Sequence, residues 1–188
     1  MRRSFAVGVV ILLTLLNVPV VQAGTYYEHD HPSYWWYVEK EPAFSAVIPS
    51  GVDPKTNKSG GERYTQKSIF GMEILEISFK DDTIIMEVIH QPGKDIGVVK
   101  ESLKARYKPL VKDVSIIADR QITTSNSIIA HFYAYEAMGA HGKKVMLRSV
   151  FFQKGNSVVY LTMFLDADEY HGDIREYWLR AVNGFEWD

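Results

Sequence analysis

Two histidines and two acidic residues near the amino terminus have side chains that could hold a transition metal. They form the run Glu28-His29-Asp30-His31, in which the imidazoles are two residues apart. On an extended strand alternate side chains point to the same side, so His29 and His31 could share one metal ion. Two ligands do not complete a site, and a metal-binding or carrier protein is therefore kept as an alternative function.

A second chemical possibility centres on His131, which lies between Ala130 and Phe132. An imidazole can act as a general base, but the sequence places neither a serine nor a carboxylate beside it. The patterns G-x-S-x-G, H-E-x-x-H and G-x-G-x-x-G do not occur in the chain. We therefore predict a protein that is not an enzyme and carries no cofactor, with a hydrolase using His131 as a further alternative.

Aromatic side chains form the third group with a possible binding role. Four are consecutive near the amino terminus and two alternate on a strand that also bears His131. Aromatic rings supply the large amphipathic contact area that is typical of binding hot spots. We predict that this group contacts a protein or small-molecule partner, and packing of the amino-terminal segment on the domain surface is the competing interpretation. The residues are Tyr34, Trp35, Trp36, Tyr37, Tyr133 and Tyr135.

The composition excludes several classes of chemistry. The chain has 188 residues, is 46% hydrophobic and 23% charged, and contains no cysteine. It therefore has no disulfide, no thiolate metal ligand and no cysteine nucleophile. The formal net charge of −2 argues against nucleic acid as a partner.

The amino terminus has the features of a secretory signal peptide. Arg2 and Arg3 are followed by an apolar stretch and then by Val21-Gln22-Ala23, which fits a signal-peptidase site. The apolar stretch is shorter than the roughly 17 to 25 residues that span a bilayer, so we expect no stable membrane insertion after cleavage. Residues 1–23 are predicted to be removed, and the protein is expected to be periplasmic or secreted, with its partner in the cell envelope.

The remaining elements are predicted from periodicity. Val145–Leu165 has the pattern of a β-hairpin turning at Gly155, and both faces of its second strand are largely apolar, as in a central strand. Apolar steps of three and four after Asp95 indicate an amphipathic helix that ends before Pro109. A second helix is predicted from about Asp168 to Val182, with Asp166 and Asp168 at its start and a left-handed stop at Asn183-Gly184. Further strands are predicted at Ala43–Pro49, Glu62–Phe70, Glu73–Phe79, Thr83–His90, Val114–Gln121 and Ile128–Ala137.

This order of strands and helices favours an α+β fold, an α/β/α sandwich around a central antiparallel sheet of about six or seven strands. Several motifs resemble the PsbP-like and Mog-type superfamily. They are Phe44-Ser45-Ala46-Val47-Ile48-Pro49, His131-Phe132-Tyr133-Ala134-Tyr135-Glu136, Arg148, Gly155 with Tyr160-Leu161-Thr162, and Trp178-Leu179-Arg180-Ala181-Val182-Asn183-Gly184-Phe185.

The resemblance implies the same sandwich over residues 43–188, preceded by an aromatic arm at residues 24–42. Members of this superfamily are mostly non-catalytic modules: photosystem subunits, a binder of a small nuclear GTPase and bacterial envelope proteins. The motifs quoted are structural, and none matches a family residue set that binds a cofactor. We expect an exported accessory or binding protein that contacts its partner through the aromatic arm or the sheet face.

Overall fold

A computed structural model of the protein describes residues 25–28, 30, 34–40, 43–49, 63–69, 72–79 and 84–188. The predicted signal peptide, residues 1–23, lies outside the described residues, and so do His29 and His31. Within the described part of the chain, no helix is long and apolar enough to cross a membrane.

Two antiparallel sheets and two α-helices make up the described fold. In chain order the elements are β1 (Thr25–Glu28), β2 (Tyr34–Lys40), β3 (Ala43–Pro49), β4 (Arg63–Ile69), β5 (Met72–Phe79), β6 (Ile84–Pro92), α1 (Ile96–Tyr107), β7 (Val111–Thr123), β8 (Ile129–Gly139), β9 (Lys144–Lys154), β10 (Ser157–Asp166), α2 (Gly172–Asn183) and β11 (Glu186–Trp187). The strand order is β4-β5-β6-β10-β9-β8-β7 in the larger sheet and β1-β2-β3-β11 in the smaller one.

β10 lies in the middle of the larger sheet, between β6 and β9. Its side chains alternate between two apolar clusters, one shared with α2 and β3 and the other with α1. The prediction of a central strand covered on both faces is therefore confirmed. The buried hydroxyl of Thr162 is satisfied, because Oγ1 is 2.6 Å from Ser149 Oγ. The first cluster takes Val159, Leu161, Met163 and Leu165, and the second takes Val158, Tyr160 and Phe164.

Helix α1 begins where the sequence predicted. The Asp95 carboxylate accepts a hydrogen bond from the backbone N–H of Val98 at 2.9 Å, which caps the first turn. Val99, Leu103 and Tyr107 are buried against the sheet. Spacings of four residues place these three side chains on one face, so α1 covers the strands that bear Tyr133 and Tyr160.

Helix α2 begins later than predicted, at Gly172, because a separate 3₁₀ turn occupies Ala167–Glu169. Asp166 and Asp168 therefore do not lie in its first turn, and Asp166 instead pairs with Lys143 at 2.8 Å. The predicted left-handed stop is also wrong, because Gly184 has φ −91°. Glycine is still required there, since a Cβ at Gly184 would collide with the Val47 side chain and lie 2.9 Å from the Arg180 carbonyl.

The predicted class, α+β with an antiparallel sheet, is confirmed, but the prediction of a single sheet is incomplete. The amino-terminal segment pairs with β3 along the length of β2, from Tyr34 opposite Pro49 to Lys40 opposite Ala43. β11 closes the other side of β3. The aromatic arm is thus two strands of a second sheet, a pairing that its irregular pattern of side chains did not indicate.

Candidate functional site

The edge of the larger sheet next to α1 carries a cluster of three charged or titratable side chains. Asp119 of β7 accepts hydrogen bonds from Lys100 Nζ of α1 at 2.7 and 2.9 Å. His131 Nε2 of β8 lies 2.5 Å from Asp119 Oδ1. The three residues come from three elements, and the antiparallel register of β7 and β8 brings Asp119 within reach of His131.

The charge of Asp119 is stabilised by this arrangement. The hydrogen bond from Lys100 and, secondarily, the one from His131 lower the pKa of Asp119, although its partial burial opposes the effect. The carboxylate therefore stays ionised and links α1 to the sheet edge. All three side chains remain partly exposed, so the link is electrostatic and local.

A carboxylate beside His131 is what the hydrolase alternative required, and the structure supplies it. In a hydrolytic triad, however, the second ring nitrogen of the histidine must face a nucleophile. Among the described residues, no hydroxyl forms a hydrogen bond with His131. A pocket in the described chain lies elsewhere, at the start of β7, lined by Pro109, Leu110, Val111, Lys112, Met138 and Gly139. The cluster thus pairs an acid with a base, and no described hydroxyl is hydrogen-bonded to that base.

The prediction of partner binding required Tyr133 and Tyr135 to be exposed on a face of the sheet, but both are buried. They are only 2% and 3% exposed, because α1 packs over them. Burial raises the pKa of both phenols. Lys104 of α1 lies over Tyr133, with Nζ 5.3 Å from the ring centroid. The prediction that these two residues contact a partner is therefore wrong, because alternation showed which side they share but not what covers that side.

The aromatic arm is divided between packing and exposure. Tyr34 is 4% exposed and meets Tyr177 of α2 edge-on, with ring centroids 5.4 Å apart. Trp36 is half-buried. Tyr27 is 54% exposed. Tyr34 therefore serves the fold and is not free for a partner, while the side chains of Trp35 and Tyr37 lie outside the described residues.

The predicted metal run is only partly described. Asp30 is exposed. Within the described residues, no group of three or more histidine, aspartate or glutamate side chains could hold a metal ion. His29 and His31 stay a prediction, because they lie outside those residues.

Sequence analysis missed two features. One is Arg148, a half-buried arginine on β9 whose Nε has no hydrogen-bond partner among the described residues. It was noticed only as part of a motif. The other is the outer edge of β7, where exposed aliphatic side chains recur. In the sequence, this edge of β7 is indicated only by its β-branched residues, and the sequence does not show where in the sheet their strand lies.

The larger antiparallel sheet is covered by α1 on one face and by α2 on the other. The fold class is therefore an α+β sandwich. Among solved structures the chain resembles cyanobacterial PsbP (CyanoP) from Synechocystis sp. PCC 6803, with a TM-score of 0.58 and 9% sequence identity over 83% of this chain and 93% of that one. The protein therefore has a PsbP-like fold.

A protein of unknown function from Pseudomonas aeruginosa, PA94, shows 14% identity over 86% of this chain and 94% of its own, with a TM-score of 0.43. That TM-score is too low to support any conclusion. No family model matches the chain, and no curated protein matches its sequence.

Proposed function

We propose that this chain is an exported, non-catalytic accessory or binding protein of the cell envelope, periplasmic or secreted and related to PsbP-like and Mog-type modules. It binds a protein partner through the first half of β7. The PsbP-like fold supports the relationship, and the contacts that tie the Asp119 carboxylate to Lys100 and His131 support a non-catalytic role. The observation that carries the proposal is the apolar edge of β7.

Among the described strands β7 is the last of the larger sheet, so no described strand pairs with one side of its backbone. Four large aliphatic side chains in the first half of β7 and just before it are about half exposed. Exposed apolar clusters of this kind mark interaction surfaces. The four, which we call the β7 patch, are Leu110 at 49%, Val114 at 50%, Ile116 at 58% and Ile117 at 53% exposure.

Two irregularities shape this edge. The register between β7 and β8 shifts between Lys112 and Ser115 and again between Ile116 and Ala118, so one extra residue is inserted at each place. Asp113, inside the first shift, has φ 54°, which is unusual for a residue other than glycine. Bulges protect sheet edges from unspecific pairing and re-aim side chains. The β7 patch is therefore suited to a particular partner that contacts apolar side chains rather than to indiscriminate strand addition.

The test compares two equally simple substitutions. Ile117→Asp places a charge in the β7 patch, whereas Ile129→Asp places the same charge at a position that is 63% exposed but lies opposite Thr123, at the far end of β7. Tagged protein without residues 1–23 would be used to recover partners from the native envelope, followed by mass spectrometry. We expect Ile117→Asp to reduce recovery of a partner by roughly tenfold or more, as for a hot-spot residue, and Ile129→Asp to retain it.

Melting temperatures of both variants would be measured in parallel, because both side chains are exposed and neither substitution should unfold the protein. A partner recovered equally by both variants would contradict a role for the β7 patch. A protein that stays in the cytoplasm would contradict export.

A further inference from the structure

Arg148 of β9 has its guanidinium group held between two aromatic rings. Its Cζ lies 5.1 Å from the ring centroid of Phe132 and 4.4 Å from that of Tyr170. Phe132 comes from β8, and Tyr170 comes from the short connection between the 3₁₀ turn and α2. Stacking of this kind fixes the plane of a guanidinium group before any ligand arrives.

The hydrogen-bond donors of Arg148 are almost unused. Nη1 lies 3.7 Å from Met146 Sδ, a weak acceptor. Nε is buried and has no acceptor among the described residues. Burial also lowers the pKa of Arg148. A buried donor without an acceptor destabilises the fold, so an acceptor supplied by a ligand would be favoured.

The nearby acids are engaged elsewhere. Asp166 forms its ion pair with Lys143, and the charges of Asp168 and Glu169 also act on Lys143. Besides burial, the pKa of Arg148 is raised by Tyr170 and lowered, to a smaller extent, by a second cation, Arg175 of α2. Within the described residues, neither arginine has a carboxylate partner. An arginine without an acid partner can instead pair with the carboxylate or phosphate group of a ligand.

Arg180 is also stacked on an aromatic ring, but unlike Arg148 it has a carboxylate partner. It lies on α2, stacks over Tyr34 with Cζ 5.0 Å from the ring centroid, and donates from Nη2 to Glu176 at 2.7 Å. Its Nε donates to the same carboxylate oxygen at 2.9 Å. Arg148 has the stacked rings without the carboxylate.

We propose that Arg148, assisted by the charge of Arg175, binds an oxyanion: the carboxylate or phosphate group of a small ligand. A guanidinium group can bind such a group through two parallel N–H···O hydrogen bonds, and the charge of Arg175 adds to the attraction. The rings of Phe132 and Tyr170 orient the guanidinium and offer apolar surface to the rest of the ligand. This site is separate from the β7 patch and does not depend on the proposed function.

Thermal unfolding in the presence of inorganic phosphate or citrate tests the site, with total ionic strength held constant by sodium chloride. A ligand that binds only the folded state raises the melting temperature as its concentration exceeds the dissociation constant. We expect at least one of the two anions to raise the melting temperature of the unsubstituted protein. Arg148→Met should abolish the rise, and Arg175→Gln should weaken the affinity several-fold.

Arg180→Gln is the matched control, because it removes a ring-stacked arginine of α2 that already has a carboxylate partner. It should leave the anion-dependent rise unchanged. A rise with phosphate only would identify a phosphate-bearing ligand, and a rise with citrate only a carboxylate. The inference is overturned if neither anion raises the melting temperature or if Arg148→Met keeps the full rise. Should Arg148→Met fail to fold, an unchanged affinity in Arg175→Gln would overturn it equally.

Discussion

Asp119 is the side chain that joins three elements at the α1 face of the sheet. Lys100 reaches it from α1 and His131 from β8, both within 2.9 Å. The same residues would be needed for acid–base chemistry, but their mutual contacts use the carboxylate for a structural link. The pH dependence of stability can therefore show what Asp119 does.

We expect Asp119→Asn to flatten the acid limb of the stability curve. The pKa of Asp119 is lowered in the folded protein, chiefly by Lys100, so the carboxylate stabilises the fold above its ordinary pKa of about 3.9. This contribution is lost as the pH falls through the lower folded value. The side chain is 34% exposed, and solvent screening should limit the effect to about 1 kcal/mol or less.

Urea unfolding between pH 6 and pH 2 measures the difference between the two proteins. Glu169→Gln is the control, because Glu169 is exposed and its charge acts on Lys143, far from the contacts of Asp119 with Lys100 and His131. Its difference from the unsubstituted protein should change little over the same range. A difference between Asp119→Asn and the unsubstituted protein that is independent of pH would show that the ion contacts do not stabilise the fold.

Strand β2 packs against helix α2 through Tyr34. Tyr34 packs against α2, where Tyr177 meets its ring edge-on and Arg180 stacks over it. Tyr27, on the neighbouring strand β1, is more than half exposed. The aromatic arm therefore contributes to stability through Tyr34, and any contact with a partner has to use its exposed residues.

Paired tyrosine substitutions on the arm should separate packing from binding. Tyr34→Ala removes a buried ring and is expected to lower the free energy of unfolding by roughly 3 to 5 kcal/mol. Tyr27→Ala removes an exposed ring and should stay within about 0.5 kcal/mol. Denaturant unfolding of both variants gives the comparison. Equal midpoints would mean that the arm is not anchored by Tyr34.

The two candidate sites, the β7 patch and Arg148, lie on different strands of the larger sheet. The β7 patch lies at the outer edge, whereas Arg148 lies on β9, between β8 and β10. A partner at the edge and a small anion at Arg148 can therefore be bound independently. The proposed use of the β7 patch in the envelope also requires export, for which residues 1–23 are the predicted signal; the Arg148 site does not.

We expect the exported protein to begin at Gly24. Val21 and Ala23 fit the small-residue positions of a signal-peptidase site. Intact mass spectrometry of protein purified from the envelope or the medium measures the amino terminus directly. Ala23→Leu should block cleavage and leave the leader attached. A mass that still includes Arg2 and Arg3 in the unsubstituted protein would indicate a retained anchor instead.

Elements with a regular period were predictable from the sequence. In α1 the steps of three and four residues and the cap at Asp95 specify both the helix and its buried face. In β10 strict alternation separates the residues of the two clusters. Periodicity works in these places because a helix or strand repeats its side-chain directions with the geometry of its own backbone.

Positions that depend on a second element were not predictable. Two inserted residues in β7 interrupt its alternation, so Ile116 and Asp119 are both paired opposite residues of the α1 side, Tyr135 and Tyr133. The start of α2 was misplaced because acidic residues that look like a helix start form a separate turn and pair with Lys143. Local sequence patterns carry no information about the register of a neighbouring strand or the reach of a distant lysine.

The sequence by itself determined the antiparallel α+β class, the central hairpin, the first helix and the lack of any cysteine chemistry. The tertiary structure alone decided that Tyr133, Tyr135 and Tyr34 are covered, that β7 is an edge, and that Arg148 lies between two rings without a carboxylate. The physical reason is that backbone geometry sets which side chains share a face, whereas accessibility and charge compensation depend on contacts between residues far apart in the chain.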